Sequence, residues 1–376
     1  MGSMEEYRSE IDAIDGELIR LFEKRMQVAE EIAAYKMSVG KAVYDAQREA
    51  KKLSAVKEMA NGAFNQAGAT ELFKLIMSIS RKRQYQLLTE RGVTWDSGFE
   101  QREGPSFSQG KIVYQGVPGS YSQAATRAFF GEDVKAVSVP LWRDAMEEVT
   151  RGKAAYCVLP IENSTAGFVE DIYDLLTQYD LTIVGEKIIH VDHVLLGLSG
   201  AALSGVNKVY SHPQALMQCR PFFEAHPSME KEETVNTAGA AKMVAEGGDP
   251  TKAAIASREA GRLYGLEVLA EGLCKDTGNA TRFVILGREK MYAKEAKKVS
   301  IVFELAHTSG SLYQLLSHII YNGLNMTKIE SRPIREKAWE YRFFVDFEGN
   351  LSDGAVMDAL RGIQEEADFF RVLGNY

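Results

Sequence analysis

The first proline of this 376-residue chain is Pro105. From Met4 to about Arg91 there is neither proline nor the period-two alternation of a strand, so the stretch is predicted to be helical throughout. Ile11, Ile14, Leu18, Leu21, Val28, Ile32 and Tyr35 recur at gaps built from three and four, the seam of one long amphipathic helix. Ser38-Val39-Gly40-Lys41 breaks that rhythm. A second helix is predicted from near Asp45, fading around Asn61-Gly62, and a third from about Thr70 to Thr89. A first helix that long cannot bury its stripe on two shorter partners, which predicts dimerisation through this region.

The rest of the chain has other textures. Residues 92–110 are rich in Gly and Ser without periodicity and read as a linker. From 111 to 288, short β-rich runs such as Lys111–Gln115, Ala155–Leu159 and Lys208–Tyr210 each lead into a helical pattern. That is α/β organisation, with ligands expected at the carboxyl ends of the strands. Residues 298–376 read βαββαβ, the α+β ferredoxin-like order. The predicted strands are Val299–Ala306, Met326–Ile334, Tyr341–Phe347 and Phe369–Leu373, with helices over 309–322 and 352–366.

Composition narrows the function classes. A formal charge of −8 argues against a nucleic-acid surface, which needs a basic face. No run approaches the ~20 apolar residues of a membrane span, and no membrane partner is expected. Cys157, Cys219 and Cys274 are far apart in sequence and form no CxxC pair, which fits a reducing, cytoplasmic setting without a disulfide framework or zinc cage. The start, Met-Gly-Ser-Met-Glu-Glu, lacks the apolar core of a signal peptide. His190 and His193 are spaced HxxH but have no Cys or acidic companion in a ligand pattern, so no metal is expected.

Charges interrupt the first seam where it should be apolar. Position 25 is Arg25, and three turns on, near the same face, stands Lys36. Buried cations need anionic partners. The second helix offers Asp45, Arg48 and Glu49 on one face, and the third offers Ser80 and Gln84 at i, i+4. Internal salt bridging to Asp45 and Glu49 is one reading. The excess of Arg and Lys over carboxylates leaves room for the other, a bound dianion. Arg8 lies one turn before Ile11, placed to reach a neighbouring subunit's site; Lys82 and Arg83 read as solvated charges. Arg8, Arg25, Lys36, Asp45, Arg48, Glu49, Ser80 and Gln84 resemble, in type and spacing, the full active-site set of the all-helical chorismate mutases. The resemblance implies that Arg8, Arg25 and Arg48 hold two substrate carboxylates, that Lys36 and Gln84 face the ether oxygen, and that Asp45 and Glu49 orient the hydroxyl and the cations.

In the α/β region, polar clusters sit where strands end and helices begin. Gly116-Val-Pro-Gly-Ser-Tyr-Ser122 is one; Pro160-Ile-Glu-Asn-Ser164 and Tyr210-Ser-His-Pro-Gln214 are two more. Free N–H groups at such junctions favour anions, although N-capping is the commoner use of residues such as Ser120 and Ser122. The GxxG spacing matches no nucleotide loop. With Thr281-Arg282-Phe283, these segments resemble the successive motifs of prephenate dehydratases, in their usual order. The resemblance implies two α/β lobes, similar to periplasmic binding proteins, with prephenate between them. Thr281 would then be the hydrogen-bond donor to the leaving hydroxyl, Asn163, Ser211 and Gln218 would bind substrate, and Ser164, Thr165 and Arg282 would be secondary substrate-binding residues.

Ser309-Gly-Ser-Leu-Tyr313 opens a helix and Glu330-Ser-Arg-Pro333 ends a strand, which alone describes a cap and a turn. The pair resembles the two phenylalanine-binding motifs of the regulatory (ACT) domains attached to prephenate dehydratases, here Gly310-Ser311-Leu312 and Glu330-Ser331-Arg332-Pro333. It implies feedback inhibition by phenylalanine. The chain is therefore expected to be multidomain: an all-α chorismate mutase at 4–91, a linker at 92–110, a two-lobed α/β prephenate dehydratase at 111–288 and a ferredoxin-like ACT domain at 298–376. It would act on chorismate and prephenate without cofactor or metal, as a homodimer, with pairing into tetramers left open. Two rival readings keep the mutase. A NAD-dependent dehydrogenase lacks its GxGxxG, and a non-catalytic amino-acid sensor conflicts with Asn163, Ser211, Gln218 and Thr281 all being present.

Overall fold

A computed structural model describes residues 2–103, 107, 110–274, 278–335, 337 and 339–376. The chain divides into two units, one of residues 1–99 with 296–372 and one of residues 100–295 with 373–376. Part of the expected linker, around Pro105, lies outside the described residues.

The first unit opens with helices α1 (Met4–Ser38), α2 (Ala46–Met59) and α3 (Ala63–Glu90). Ser3 starts α1 through a capping box: its hydroxyl accepts from the Glu6 N–H at 3.2 Å while the Glu6 carboxylate takes the Ser3 N–H. Asp45 caps α2 by accepting from the Arg48 N–H at 2.9 Å. The third helix begins seven residues before the predicted Thr70. Ala63–Ala69 is alanine-rich and polar, so it has helix propensity without an apolar period to reveal it. The seam of α1 stands in the open: Ile11, Ile14, Leu18, Leu21, Val28, Ile32 and Tyr35 are each 46–62 % exposed.

The last turns of α3 are instead buried, because the C-terminal module packs on them. That module has strands in the order Met326–Pro333, Tyr341–Glu348, Lys298–Glu304, Phe369–Asn375, with helices Ser311–Tyr321 and Gly354–Glu366. This is the predicted βαββαβ sequence of elements. The two helices approach closely at Gly362, where a Cβ would stand 2.4 Å from the His318 ring. Four side chains of α3 reach the module. Arg81 meets Glu366, Lys82 donates to Ser317, Tyr85 donates to Glu365, and Thr89 donates to Asp358. Lys82 is thus buried rather than solvated, and Arg83 is paired with Glu30 and Glu90. Helical periodicity marks a face but cannot say that a distant module covers it.

The second unit has two principal sheets. One runs Thr182–His190, Ala280–Gly287, Tyr156–Asn163, Ile112–Gln115, Ala136–Val139; the other runs Glu267–Ala270, Val194–Gly197, Lys252–Ala256, Lys208–Ser211, Glu230–Glu233. The chain passes between them twice, at 191–193 and again between Ala270 and Ala280. Two lobes joined by two crossings leave a cleft between them. The linker is not wholly irregular, since Glu100–Arg102 pairs in parallel with Met291–Ala293. Cys219 and Cys274, far apart in sequence, bring their sulfurs to 3.1 Å without forming a disulfide.

Candidate active sites

Two cavities collect the polar residues. The first, about 530 Å³, lies among α1, α2 and α3. Arg25, Lys36, Asp45, Arg48, Glu49, Ser80 and Gln84 all line it, together with Lys41, Lys52 and Arg81. Six cations face two carboxylates, so the cavity is electropositive inside an acidic protein. Arg25 Nη1 donates to Ser80 Oγ, and Lys36 Nζ bridges the helix break to the Val43 carbonyl. Burial lowers the pKa of both cations, opposed for Arg25 by Glu49 and for Lys36 chiefly by Asp45. Gln84 Nε2 donates to the Ser80 carbonyl at 3.2 Å, leaving its Oε1 buried without a partner among the described residues. Arg8 is exposed and does not line the cavity, being 17 residues before Arg25 and about 25 Å away along the helix.

The second cavity, about 490 Å³, lies between the lobes of the second unit. Its wall is made where helices start: Ser120 and Tyr121, Leu141 and Trp142, His212, Asn236 and Thr237. No Asp, Glu, Lys or Arg is among the described residues that line it. An anion there would meet backbone N–H groups, helix dipoles and neutral donors.

Thr281 and Asn163 face each other in register on adjacent strands at this cleft. Asn163 Nδ2 donates to Thr281 Oγ1 at 3.0 Å and to Asn279 Oδ1 at 2.8 Å. Its Oδ1 accepts from Thr165 and from the Ala166 N–H, so the amide orientation is fixed from both ends. Gln218, also at the cleft, donates to Thr165 Oγ1 and accepts from Asn279. Ser164 bridges the Gly278 carbonyl and the Ala280 N–H. Ser164 and Thr165 therefore serve the wall instead of forming it.

Two expected cleft residues lie elsewhere. Ser211 is fully buried and donates to the Ile255 carbonyl at 2.6 Å, while His212 and Gln214 of the same motif reach the cleft. Arg282, next to Thr281, projects from the other face of its strand to Glu162 and Glu186, at 3.8 and 3.7 Å. His193, which belongs to none of the three motifs, lines the cavity and lies 3.2 Å from the Tyr121 hydroxyl. Burial lowers its pKa, partly opposed by Gln218 and Asp192, so the neutral imidazole is favoured. Trp142 and Phe283 add aromatic wall. In the sequence His193 is marked only by its HxxH spacing with His190, Trp142 by no motif, and Phe283 by its place in Thr281-Arg282-Phe283.

In the C-terminal module Gly310 caps Ser311–Tyr321 at φ +82°, a conformation that suits glycine. Ser311 Oγ donates to the Thr308 carbonyl. Glu330, Ser331, Arg332 and Pro333 close the edge strand Met326–Pro333.

Residues 7–85 match chorismate mutase type II, and residues 112–291 match prephenate dehydratase. A bifunctional chorismate mutase/prephenate dehydratase of Neisseria gonorrhoeae is 34% identical over 371 residues, covering 98% of this chain and 96% of that one. One from Escherichia coli (strain K12) is 32% identical, covering 98% and 95%. A crystal structure titled prephenate dehydratase in complex with L-Phe, from Arthrobacter aurescens, matches 71% of this chain and 89% of its own at 29% identity and a TM-score of 0.66. Matched from end to end by relatives that carry both activities, the chain belongs to the family of bifunctional chorismate mutase/prephenate dehydratases.

Proposed function

We propose that the helical cavity converts chorismate to prephenate and the interlobe cleft converts prephenate to phenylpyruvate. The excess of six cations over two carboxylates around the first cavity carries the assignment. Chorismate is a dianion whose rearrangement is pericyclic. It needs no nucleophile and no cofactor, only the reactive conformer held and the charge growing on the ether oxygen stabilised. Arg25 and Arg48 would hold carboxylates, with Arg8 supplied by a second copy. Lys36 and Gln84 would face the ether oxygen, while Asp45 and Glu49 would orient the hydroxyl. Ser80 would steady Arg25, to which it is already bonded.

In the cleft, the bond from the ring to its carboxylate breaks, CO2 departs, and the electron pair aromatises the ring as the C–O bond breaks. The hydroxyl takes a proton from solvent and leaves as water, so prephenate and one proton give phenylpyruvate, CO2 and water. A threonine is too weak an acid to be ionised here, so Thr281 acts as an oriented hydrogen-bond donor to the departing oxygen. Asn163 orients it, and the helix N-termini take the substrate carboxylates. Gln218 is held toward the same cavity.

The C-terminal module would act as an ACT-type sensor, binding phenylalanine at Gly310–Leu312 and Glu330–Pro333 between two copies. The exposed α1 seam supports a homodimer, and cysteines that form no disulfide fit a cytoplasmic setting. Feeding chorismate to the purified protein, with and without phenylalanine, tests the whole reading. Prephenate followed by phenylpyruvate is expected, with less of the latter when phenylalanine is present. Prephenate that accumulates without conversion would remove the second assignment.

A further inference from the structure

Glu49 faces the helical cavity, yet its carboxylate is held by a residue to which the site reading gives no task. Arg81 Nη1 reaches the two Glu49 oxygens at 2.5 and 2.6 Å. The Arg81 Nε donates in the opposite direction, to Glu366 Oε1 at 2.8 Å. That oxygen also lies 2.8 Å from His318 Nε2. Glu366 and His318 belong to the two helices of the C-terminal module. A continuous chain of polar contacts thus runs from the cavity wall into that module.

Arg81 is only 5% exposed, and its guanidinium sits over the Tyr44 ring at 5.1 Å. Burial alone would lower its pKa, but Glu366 and Glu49 outweigh burial and raise it, so the charge stays. The Tyr44 N–H and the Tyr85 hydroxyl both donate to Glu365, the neighbouring residue, each at 2.8 Å. The module therefore fixes both the guanidinium and the ring beneath it.

This arrangement decides which cations remain available to a substrate. Glu49 already acts electrostatically on Arg25 and Lys36. Released from Arg81, its carboxylate would turn toward them and cancel charge that a dianion needs. We propose that Arg81 is a positioning residue of the mutase site, holding Glu49 away from the substrate-binding cations, and that Glu366 of the C-terminal module holds Arg81. The helical site is then completed by a module at the other end of the chain. This rests on the helical cavity being the mutase site.

The test uses the full chain and three variants: Glu366→Gln, Arg81→Lys and, as reference, Glu49→Ala. Chorismate turnover gives kcat and KM, and dehydration of added prephenate reports folding. For Glu366→Gln and Arg81→Lys, the KM for chorismate is expected to rise about tenfold or more while dehydration persists. A purely structural role would lower the active fraction, and hence apparent kcat, at unchanged KM. Should Arg81→Lys fail to fold, Glu366→Gln decides alone, since Glu366 does not line the cavity. Wild-type KM in the folded variants, with Glu49→Ala inactive, would overturn the inference and leave the site reading standing. Full mutase activity in Glu49→Ala would overturn the site reading itself.

Discussion

Asn163 Nδ2 donates to Thr281 Oγ1 across 3.0 Å, so the threonine oxygen already accepts one hydrogen bond. With that lone pair engaged, the hydroxyl proton is free to point at another acceptor. On the proposed dehydration, the leaving oxygen of prephenate would be that acceptor. Thr281→Ala is therefore expected to lower dehydratase kcat by about 10²-fold or more, with prephenate accumulating. Thr281→Ser, which keeps the hydroxyl, should lose far less. Asn163→Ala should mimic Thr281→Ala, and the double variant should be little worse than either single one. Phenylpyruvate formation followed by absorbance gives all four rates; unaltered output from Thr281→Ala would remove its assigned role.

A second prediction concerns pH. Burial lowers the pKa of Lys36, opposed by Asp45, Glu365 and Glu49 and reinforced by Arg81. Only the protonated ammonium can stabilise a developing oxyanion. Mutase kcat/KM, which reports the free enzyme, should therefore fall on the alkaline side before the ordinary lysine range is reached. Lys36→Arg should carry that limb to higher pH, whatever it does to the plateau rate. A limb that Lys36→Arg leaves in place would show that another group titrates.

Much of this was legible in the sequence where a residue type contradicted its position. Arg25 and Lys36 stood out because an apolar seam should not carry cations, and seven of the eight residues named for that site line one cavity. The α/β motifs located the cleft, but a motif fixes a segment more firmly than a direction. In a strand, successive side chains face opposite ways, so Thr281 enters the cleft while Arg282 meets Glu162 and Glu186. Ser211 and His212 divide between core and cleft over the same single step. Contacts over long sequence separations left no mark at all. Nothing near Arg81 announces Glu366, and nothing near Lys82 announces Ser317.

Lys82 offers a test of stability. Its ammonium donates to Ser317 and lies 5.1 Å from the centre of the Tyr321 ring. Burial pushes its pKa down to about 8, with Glu366 raising it and Arg81 lowering it further. The unfolded chain, with an ordinary lysine, binds that proton more tightly. The folded state is therefore penalised fully below about pH 8, and the penalty fades as pH rises toward the usual lysine value of about 10.4. Lys82→Met is expected to stabilise the protein by about 1–2 kcal/mol at pH 7, net of the lost hydrogen bond. The gain should vanish near pH 10.5. Denaturant midpoints at the two pH values read this directly, and a gain that does not depend on pH would assign it to packing instead.

The exposed seam of α1 and the distance of Arg8 from the cavity make one joint prediction. An isolated amphipathic stripe with Ile11, Ile14 and Leu18 more than half exposed is unstable in water. Pairing two copies of α1 would bury it and could carry Arg8 of one copy to the cavity of the other. Arg8→Ala and Arg25→Ala should each abolish mutase activity in a homodimer and leave dehydration of added prephenate intact. Mixed after mild dissociation, the two inactive proteins should recover activity. A heterodimer would hold one cavity with both defects and one with neither, so about a quarter of wild-type activity is expected at equal mixing. Charged substitutions at Ile14 and Leu18 should give monomers that lack the mutase reaction. If Arg8→Ala and Arg25→Ala stay inactive after demonstrable subunit exchange, Arg8 acts within its own chain.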